Sequence, residues 1–243
     1  MSAARHDTSF PITPIGTIAS DFPDKFGVPR QPGLITETIA QLRLIEPYND
    51  PLAVRGLEGF SHLWLTFIFH LSPLDWKPLV RPPRLGGNAR IGVFASRSTH
   101  RPNRLGLSLV ELINISTHDG VTLTLRGADL VHGTPVVDIK PYLPWAEARP
   151  EARTGFAPQA PELIQVAFSS QALNSLALRA DGDSLRRLIE GVLAQDPRPA
   201  YRGRSNDSRL YGVYLRDINV RFRALDAGQN VVLQVEAIEP RST

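Results

Sequence analysis

Residues 61–71, SHLWLTFIFHL, decide the fold. The run is rich in aromatic and branched side chains and far too short to cross a bilayer as a helix, so it reads as a β-strand. Alternation puts Leu63, Leu65, Phe67, Phe69 and Leu71 on one face and His62, Trp64, Thr66, Ile68 and His70 on the other. The first face is all core. The second carries two imidazoles, but they lie eight residues apart with no carboxylate pattern nearby, so no metal site is expected.

The flanking sequence supplies partners for this strand. Residues 10–20 read as an opening strand, residues 107–115 as another, and residues 121–127 alternate as a half-exposed strand should, with Val121, Leu123 and Leu125 on the buried side. Ile91, Val93 and Ala95 suggest a short buried strand, and Val136, Val137 and Ile139 a further buried segment. By parity Asp138, Lys140 and Tyr142 then share the opposite face. They form either a polar site or a surface ion pair beside a packed tyrosine. Asp50-Pro51 opens a short helix through Gly56. Strands dominate the first 145 residues and leave little room for crossover helices, so the fold class is mainly β: an antiparallel β-barrel N-terminal domain.

Beyond it the pattern changes. Residues 146–161 are rich in proline and alanine without periodicity. The first domain is therefore placed at 1–150, a linker at 151–161 and a smaller α+β C-terminal domain at 162–243. That domain reads as a strand at 162–168 and an amphipathic helix at 183–195 capped by Asp183, with Leu185, Leu188, Ile189, Val192 and Leu193 on its stripe. Three antiparallel strands follow, at 210–215, 218–225 and 230–238. Residues 198–223 hold seven arginines against two aspartates, interleaved with Tyr201, Tyr211 and Tyr214, a composition that suits single-stranded RNA.

The other basic feature is residues 81–111, RPPRLGGNARIGVFASRSTHRPNRLGLSLVE. Six arginines fall between Arg81 and Arg104, and no Asp or Glu occurs between Trp76 and Val110, so no carboxylate near in sequence neutralises them. The expected form is two strands joined by an arginine-studded loop that binds an anionic or nucleotide-like ligand; an arginine-rich solvated surface is the plainer alternative. Residues 29–32, PRQP, place Arg30 and Gln31 on stiff backbone.

Composition bounds the function. The 243 residues contain no cysteine, which excludes disulfides and thiolate metal sites, and a net charge of +3 with a pI near 9.5 leans towards an acidic partner. The start lacks the apolar core of a signal peptide, and the expectation is a cytoplasmic protein with no membrane contact. A Rossmann fingerprint, a Walker loop and a Gly-x-Ser-x-Gly elbow are all missing.

Four ordered motifs carry a resemblance: GVPRQPGL at 27–34, GLEGFSHLWL at 56–65, RPPRLGGNARIGVFASRSTHRPNRLGLSLVEL at 81–112 and GTPVVDIKPYLPWA at 133–146. Together they resemble the TsaA-like (TrmO-type) family, most fully its bacterial tRNA methyltransferase members; AQDPRPAYRGR and YLRDINVRFRAL resemble the extra C-terminal domain of those members. The resemblance implies S-adenosylmethionine-dependent methylation of N6 of threonylcarbamoyladenosine beside the anticodon, on tRNA, by a homodimer without a metal. Carried over by motif, the cofactor contacts would be Pro29, Arg30, Gln31, His70, Leu71, Arg97, Leu107, Asp129, His132, Gly133, Thr134 and Pro135.

Asp138 would accept the proton of the methylated nitrogen, Lys140 would stabilise charge on the carbamoyl group and Tyr142 would hydrogen-bond either. RNA contacts would fall on Arg101, Asn103 and Arg104 in the central loop and on Arg198, Tyr201, Arg202 and Arg221 in the second domain. His132 stands where the family commonly has aspartate, and Arg104 where proline is common. Two other classes fit the residues: a non-catalytic RNA-binding β-barrel protein, and a methyltransferase acting on a small metabolite.

Overall fold

The computed structural model describes residues 9–86, 88–199, 207–228 and 230–241. Strand β1 (Gly16–Ser20) pairs with β2 (Ile39–Leu44), and β3 (His62–Ile68) follows a 3-10 turn at Pro51–Val54, capped by Asp50 accepting from the Leu52 N–H. A two-stranded hairpin, β4 (Leu79–Val80) and β5 (Ile91–Gly92), stands apart. Strands β6 (Leu105–Ser116), β7 (Thr122–Arg126) and β8 (Pro135–Pro141) complete a closed barrel in the order β1-β2-β7-β6-β3-β8, with all neighbours antiparallel.

The barrel follows from the alternation. Leu63, Leu65 and Phe67 point inward with Ile18, Leu42, Val110, Leu123, Leu125 and Val136, and a barrel of so few strands is filled by these side chains. Gly106 stands opposite Phe67 because a Cβ there would overlap the ring. Closure leaves no free sheet edge on the barrel. Leu71 departs from the expected face: the strand has ended at Ile68, and Leu71 is exposed.

Two local readings are corrected. Residues 91–95 are not a strand beside β6. β5 ends at Gly92 and pairs with β4, and Val93–Ala95 form a 3-10 turn in which Val93 is buried while Phe94 is 73% exposed. A single anchor does not make an inward face. Within β8 only Val136 is fully buried: the register against β3 slips between Thr66 and Phe67, leaving Val137 as an extra residue. Such a bulge reverses parity, which is how Val136 faces the core while Asp138, two residues on, faces solvent.

The second unit begins after the short helix α1 (Pro144–Glu147). Strand β9 (Gln165–Phe168), shorter than expected, runs parallel to β12, in a sheet ordered β10-β11-β12-β9 with β10 (Asp207–Leu215), β11 (Ile218–Asp226) and β12 (Val231–Pro240). Helix α2 (Ser170–Ala177), which no periodicity announced, is capped by Ser169 accepting from the Ala172 N–H at 3.0 Å. In α3 (Gly182–Ala194) the expected stripe is buried in full. Its N-cap is Asp181 rather than Asp183, and Asp181 makes no cap bond because its carboxylate is held by Arg179 and Arg216.

The two cores are not divided at the linker. Phe22 and Ile35, from the segment between β1 and β2, belong to the second core, and Phe26, Val28 and Leu34 pack against it. Gly27, at φ 91°, lies so close to Val213 that a Cβ would overlap it. The segment that carries the PRQP motif is therefore clamped between the units.

Candidate active site

Three of the proposed cofactor segments, far apart in sequence, come together around Arg97. Gln31 accepts a hydrogen bond from Arg97 Nη1 through Oε1 and donates through Nε2 to the Arg30 carbonyl. Arg97 in turn acts electrostatically on Asp129, whose carboxylate accepts from the Ser108 hydroxyl. Burial pushes the Asp129 pKa up to about 6, against the opposing pull of Ser108, of its own backbone N–H and of Arg97. The chain Gln31, Arg97, Asp129, Ser108 is a polar spine with one under-compensated carboxylate.

Pro29 is buried, while Arg30 is exposed and donates to the Asp196 carbonyl at 3.5 Å, across to the second unit. His70 follows the end of β3, its pKa lowered by burial against the raising effect of its Ile68 backbone bond. The neighbouring Leu71 carbonyl accepts from Lys25 at 3.2 Å. Leu107 is 52% exposed and registers with Thr66 on the outer wall.

The turn from Val131 to Pro135 is fixed by its backbone. The His132 N–H donates to Phe22 O at 2.8 Å and the Gly133 N–H, at φ 78°, to Ile18 O at 2.7 Å, while the His132 side chain lies in solvent. Pro135 registers with Thr17 at the barrel rim. Thr134 differs from expectation: it is 3% exposed, its hydroxyl is given to Val131 O at 2.7 Å and its carbonyl to Ile18, so it holds the turn and offers a ligand nothing.

Of the proposed catalytic residues, Asp138 and Lys140 lie on the outer face of β8 and Tyr142 just beyond its end. Asp138 registers with Thr66 and Lys140 with Trp64, and the Asp138 carboxylate lies 4.0 Å from the Lys140 ammonium with both exposed. Tyr142 packs edge-on against His62 and Trp64, at 6.4 and 6.0 Å between centroids. Trp64 is pinned from its other end, since its indole N–H donates to Glu147 at 2.7 Å. Lys25 and Glu147 carried no signal in the sequence, because each acts across a separation that no local pattern encodes.

Of the six arginines in the central stretch, none makes an ion pair among the described residues. They are not all presented outward, however. Arg101 Nη1 donates to Ser96 O at 2.9 Å and Val93 O at 3.4 Å, and its guanidinium lies 5.9 Å from the Phe94 ring, so it staples the loop instead of facing RNA. Arg84 donates to Gln159 O at 2.6 Å and ties the linker down. Asn103 is exposed. Arg104 has φ 51°, a left-handed turn that proline cannot adopt, which accounts physically for an arginine at this position in this turn.

In the second unit Arg198 is withdrawn altogether. Its side chain is 0% exposed and clasped to Asp196 at 2.8 and 3.0 Å, which corrects its assignment to RNA. Arg221 is half-buried on β11, whereas Tyr201 and Arg202 lie outside the described residues. Tyr211 is a core residue stacked on Phe222 at 5.5 Å, and Tyr214 lies beneath Arg241.

Sequence reasoning also missed a cleft of about 470 Å³ on the outer wall, lined among others by His62, Trp64, Arg97, Leu109, Glu111 and Arg126. No group of three His, Cys, Asp or Glu able to hold a metal ion occurs among the described residues, and no described helix is long and apolar enough to cross a membrane.

A closed antiparallel barrel with a candidate site built of arginines and a buried carboxylate, and with a clamped second module, defines a class of β-barrel protein unlike the Rossmann-type nucleotide folds. Comparison with known proteins then gives the family. The tRNA-methyltransferase O N-terminal domain matches residues 17–148 and the TrmO C-terminal domain residues 161–238, and the chain belongs to the TrmO family.

It is 52% identical over 238 residues to the tRNA (adenine(37)-N6)-methyltransferase of Escherichia coli (strain K12), covering 96% of this chain and 100% of that one. A putative S-adenosylmethionine-dependent methyltransferase, RcsF, of Pseudomonas aeruginosa is 47% identical over 217 residues, 87% of this chain and 91% of its own. The crystal structure of TrmO from Pseudomonas aeruginosa superposes with a TM-score of 0.77 at 37% identity, covering 95% of this chain and 98% of that one.

Proposed function

We propose that the chain is an S-adenosylmethionine-dependent tRNA methyltransferase that methylates N6 of adenine 37 in its threonylcarbamoylated form. The observation that carries this reading is the convergence of Gln31 and Asp129 on Arg97, which lines a cleft with Trp64, the register partner of Lys140 on the strand that bears Asp138.

The residues present fit the cofactor. Arg97 suits the carboxylate of its methionine part, Asp129 suits an ammonium or ribose hydroxyls because its charge is under-compensated, and exposed Leu107 offers an apolar contact. When bound, the cofactor supplies an electrophilic methyl group on a sulfonium. The chain's part is alignment: loops fixed by Pro29, Gly133 and the Arg97–Gln31 bond hold the partners in line, an effect that needs no metal. Asp138 takes the proton from the acceptor nitrogen, and Lys140, beside it, stabilises charge on the carbamoyl oxygen. Tyr142 braces His62 and Trp64.

The protein acts on tRNA, as a homodimer, in the cytoplasm. Support for pairing comes from the apolar surface of the 71–94 segment, where Leu71, Leu74, Trp76, Leu79 and Phe94 are exposed. Calorimetric titration with S-adenosylmethionine, followed by mass analysis of tRNA nucleosides from cells with and without the gene, tests the reading. Unaltered nucleosides together with no cofactor binding would refute it.

A further inference from the structure

Of the proposed cofactor residues only Arg97 lines the 470 Å³ cleft; Pro32 and Gly33, which follow Gln31, border it, and the strand residues of its lining have no assigned part in cofactor binding or catalysis. Strand register builds it. His62 stands opposite Glu111 across β3 and β6, Glu111 opposite Arg126 across β6 and β7, and Trp64 opposite Leu109. These positions all fall on the outward parity of strands whose alternate residues fill the barrel.

Two details give the cleft a chemistry. Glu111 accepts from Arg126 with both oxygens, at 3.2 and 3.1 Å, yet both bonds come from Nη1 alone. The Nε–Nη2 edge of Arg126, which matches a carboxylate two-to-two, has no partner among the described residues, and the side chain is 41% exposed. Meanwhile the Trp64 ring is held at its N–H by Glu147 and at one side by Tyr142, so it presents a fixed flat surface. Glu111 also offsets one of the two cationic charges in the cleft, which favours a single carboxylate over a phosphate.

We propose that this cleft is the acceptor subsite and takes the amino-acid arm on the target adenine, with Arg126 receiving the carboxylate and Trp64 stacking the planar ureido-purine. The assignment rests on the methyltransferase reading and deepens it: the enzyme would recognise the prior carbamoylation of its substrate through Arg126. Trp64 registers with Lys140 on one side and Leu109 on the other, so the arm lies across the wall between the proposed catalytic strand and Arg97.

The test uses the full chain, wild type and Arg126→Gln, with S-adenosylmethionine and two tRNAs of one sequence, bearing threonylcarbamoyladenosine or plain adenosine at position 37. The variant is expected to raise KM for the modified tRNA about tenfold or more, while cofactor affinity and affinity for the plain transcript stay unchanged. Arg126→Lys, which keeps the charge without the fork, should recover only part of the loss. Undiminished discrimination between the two tRNAs in Arg126→Gln overturns the proposal. If the wild type methylated neither tRNA, the activity reading would fail on its own, and free N-carbamoyl-threonine would still decide the cleft by ligand-observed NMR. Binding that disappears in Arg126→Gln supports the subsite, and absent or unaltered binding sinks it.

Discussion

Replacing Asp129 by Asn should make the protein more stable and less able to bind its cofactor. Burial lifts the carboxyl pKa from 3.8 to about 6. At about 1.4 kcal/mol per unit, the ionised form therefore costs the fold at most ~3 kcal/mol, and less where the local structure relaxes. The sign is set by the direction of the shift. Below the unfolded value the group is neutral in both states and costs nothing; as pH rises through about 6 the folded state must carry a buried charge and stability falls.

Asparagine keeps an oxygen for the Ser108 hydroxyl and never ionises, so the variant should match wild type near pH 4 and exceed it by ~1–3 kcal/mol near pH 8. That gain corresponds to roughly 3–9 °C in a thermal melt of a chain this size. Cofactor affinity should move the other way: lower in the variant near pH 8, with the two proteins converging as wild type is acidified through about 6. Melts by circular dichroism and calorimetric titrations across this range measure both. A stability difference that does not vary with pH would refute the burial argument, and unchanged cofactor affinity near pH 8 would remove Asp129 from the site.

Asp138→Asn should lower kcat by tenfold or more, on the order of a lost general base, with little change in affinity for cofactor or tRNA; equal losses in binding and rate would mark the residue as structural. Arg104→Pro should destabilise the loop before β6 by at least ~1–3 kcal/mol because φ 51° is closed to proline, whereas Arg104→Gly should be tolerated; chemical denaturation of the two variants separates these outcomes. A chain ending near Arg153 should lose tRNA affinity and also bind cofactor more weakly, because Phe22 and Ile35 would lose their core; a truncation with wild-type cofactor affinity would contradict this.

Alternation made the barrel legible. Leu63, Leu65 and Phe67, like Val121, Leu123 and Leu125, announce an inward face because a residue on a strand has only two directions to point. The candidate site drew attention in the sequence where its residues are contiguous, as in the PRQP segment and the arginine stretch, and drew none where a bond crosses the chain. Ser108 with Asp129, Trp64 with Glu147 and Arg216 with Asp21 join residues that no local pattern links. For Arg198 and Tyr211 the RNA-contact reading overreached for the same reason. Arginine and tyrosine counts look alike whether the side chains meet solvent or, like Arg198 and Tyr211, are consumed inside.

The clasp at Arg216 explains why a chain with two cores need not behave as two domains. In the turn between β10 and β11, with φ 52°, its backbone N–H donates to Asp21 O and its guanidinium to the Asp21 carboxylate, both at 2.8 Å. A second arm reaches Asp181 at 2.9 Å and Ser184 at 3.2 Å. Asp21 in turn accepts from the Ile39 N–H with its other oxygen, at 3.1 Å, so one carboxylate joins the first residue of β2 to the second sheet. A guanidinium this enclosed loses hydration, and its pKa nonetheless rises because Asp21 and Asp181 more than offset the burial. Removing one partner leaves the other charge partly buried and unpaired, which costs more than the pair contributes. The segment hung between these anchors carries Pro29, Arg30 and Gln31, and Gln31 holds Arg97. The position of the proposed cofactor arginine is thus set from the second unit, through one loop, by contacts that a cut at the linker would not spare.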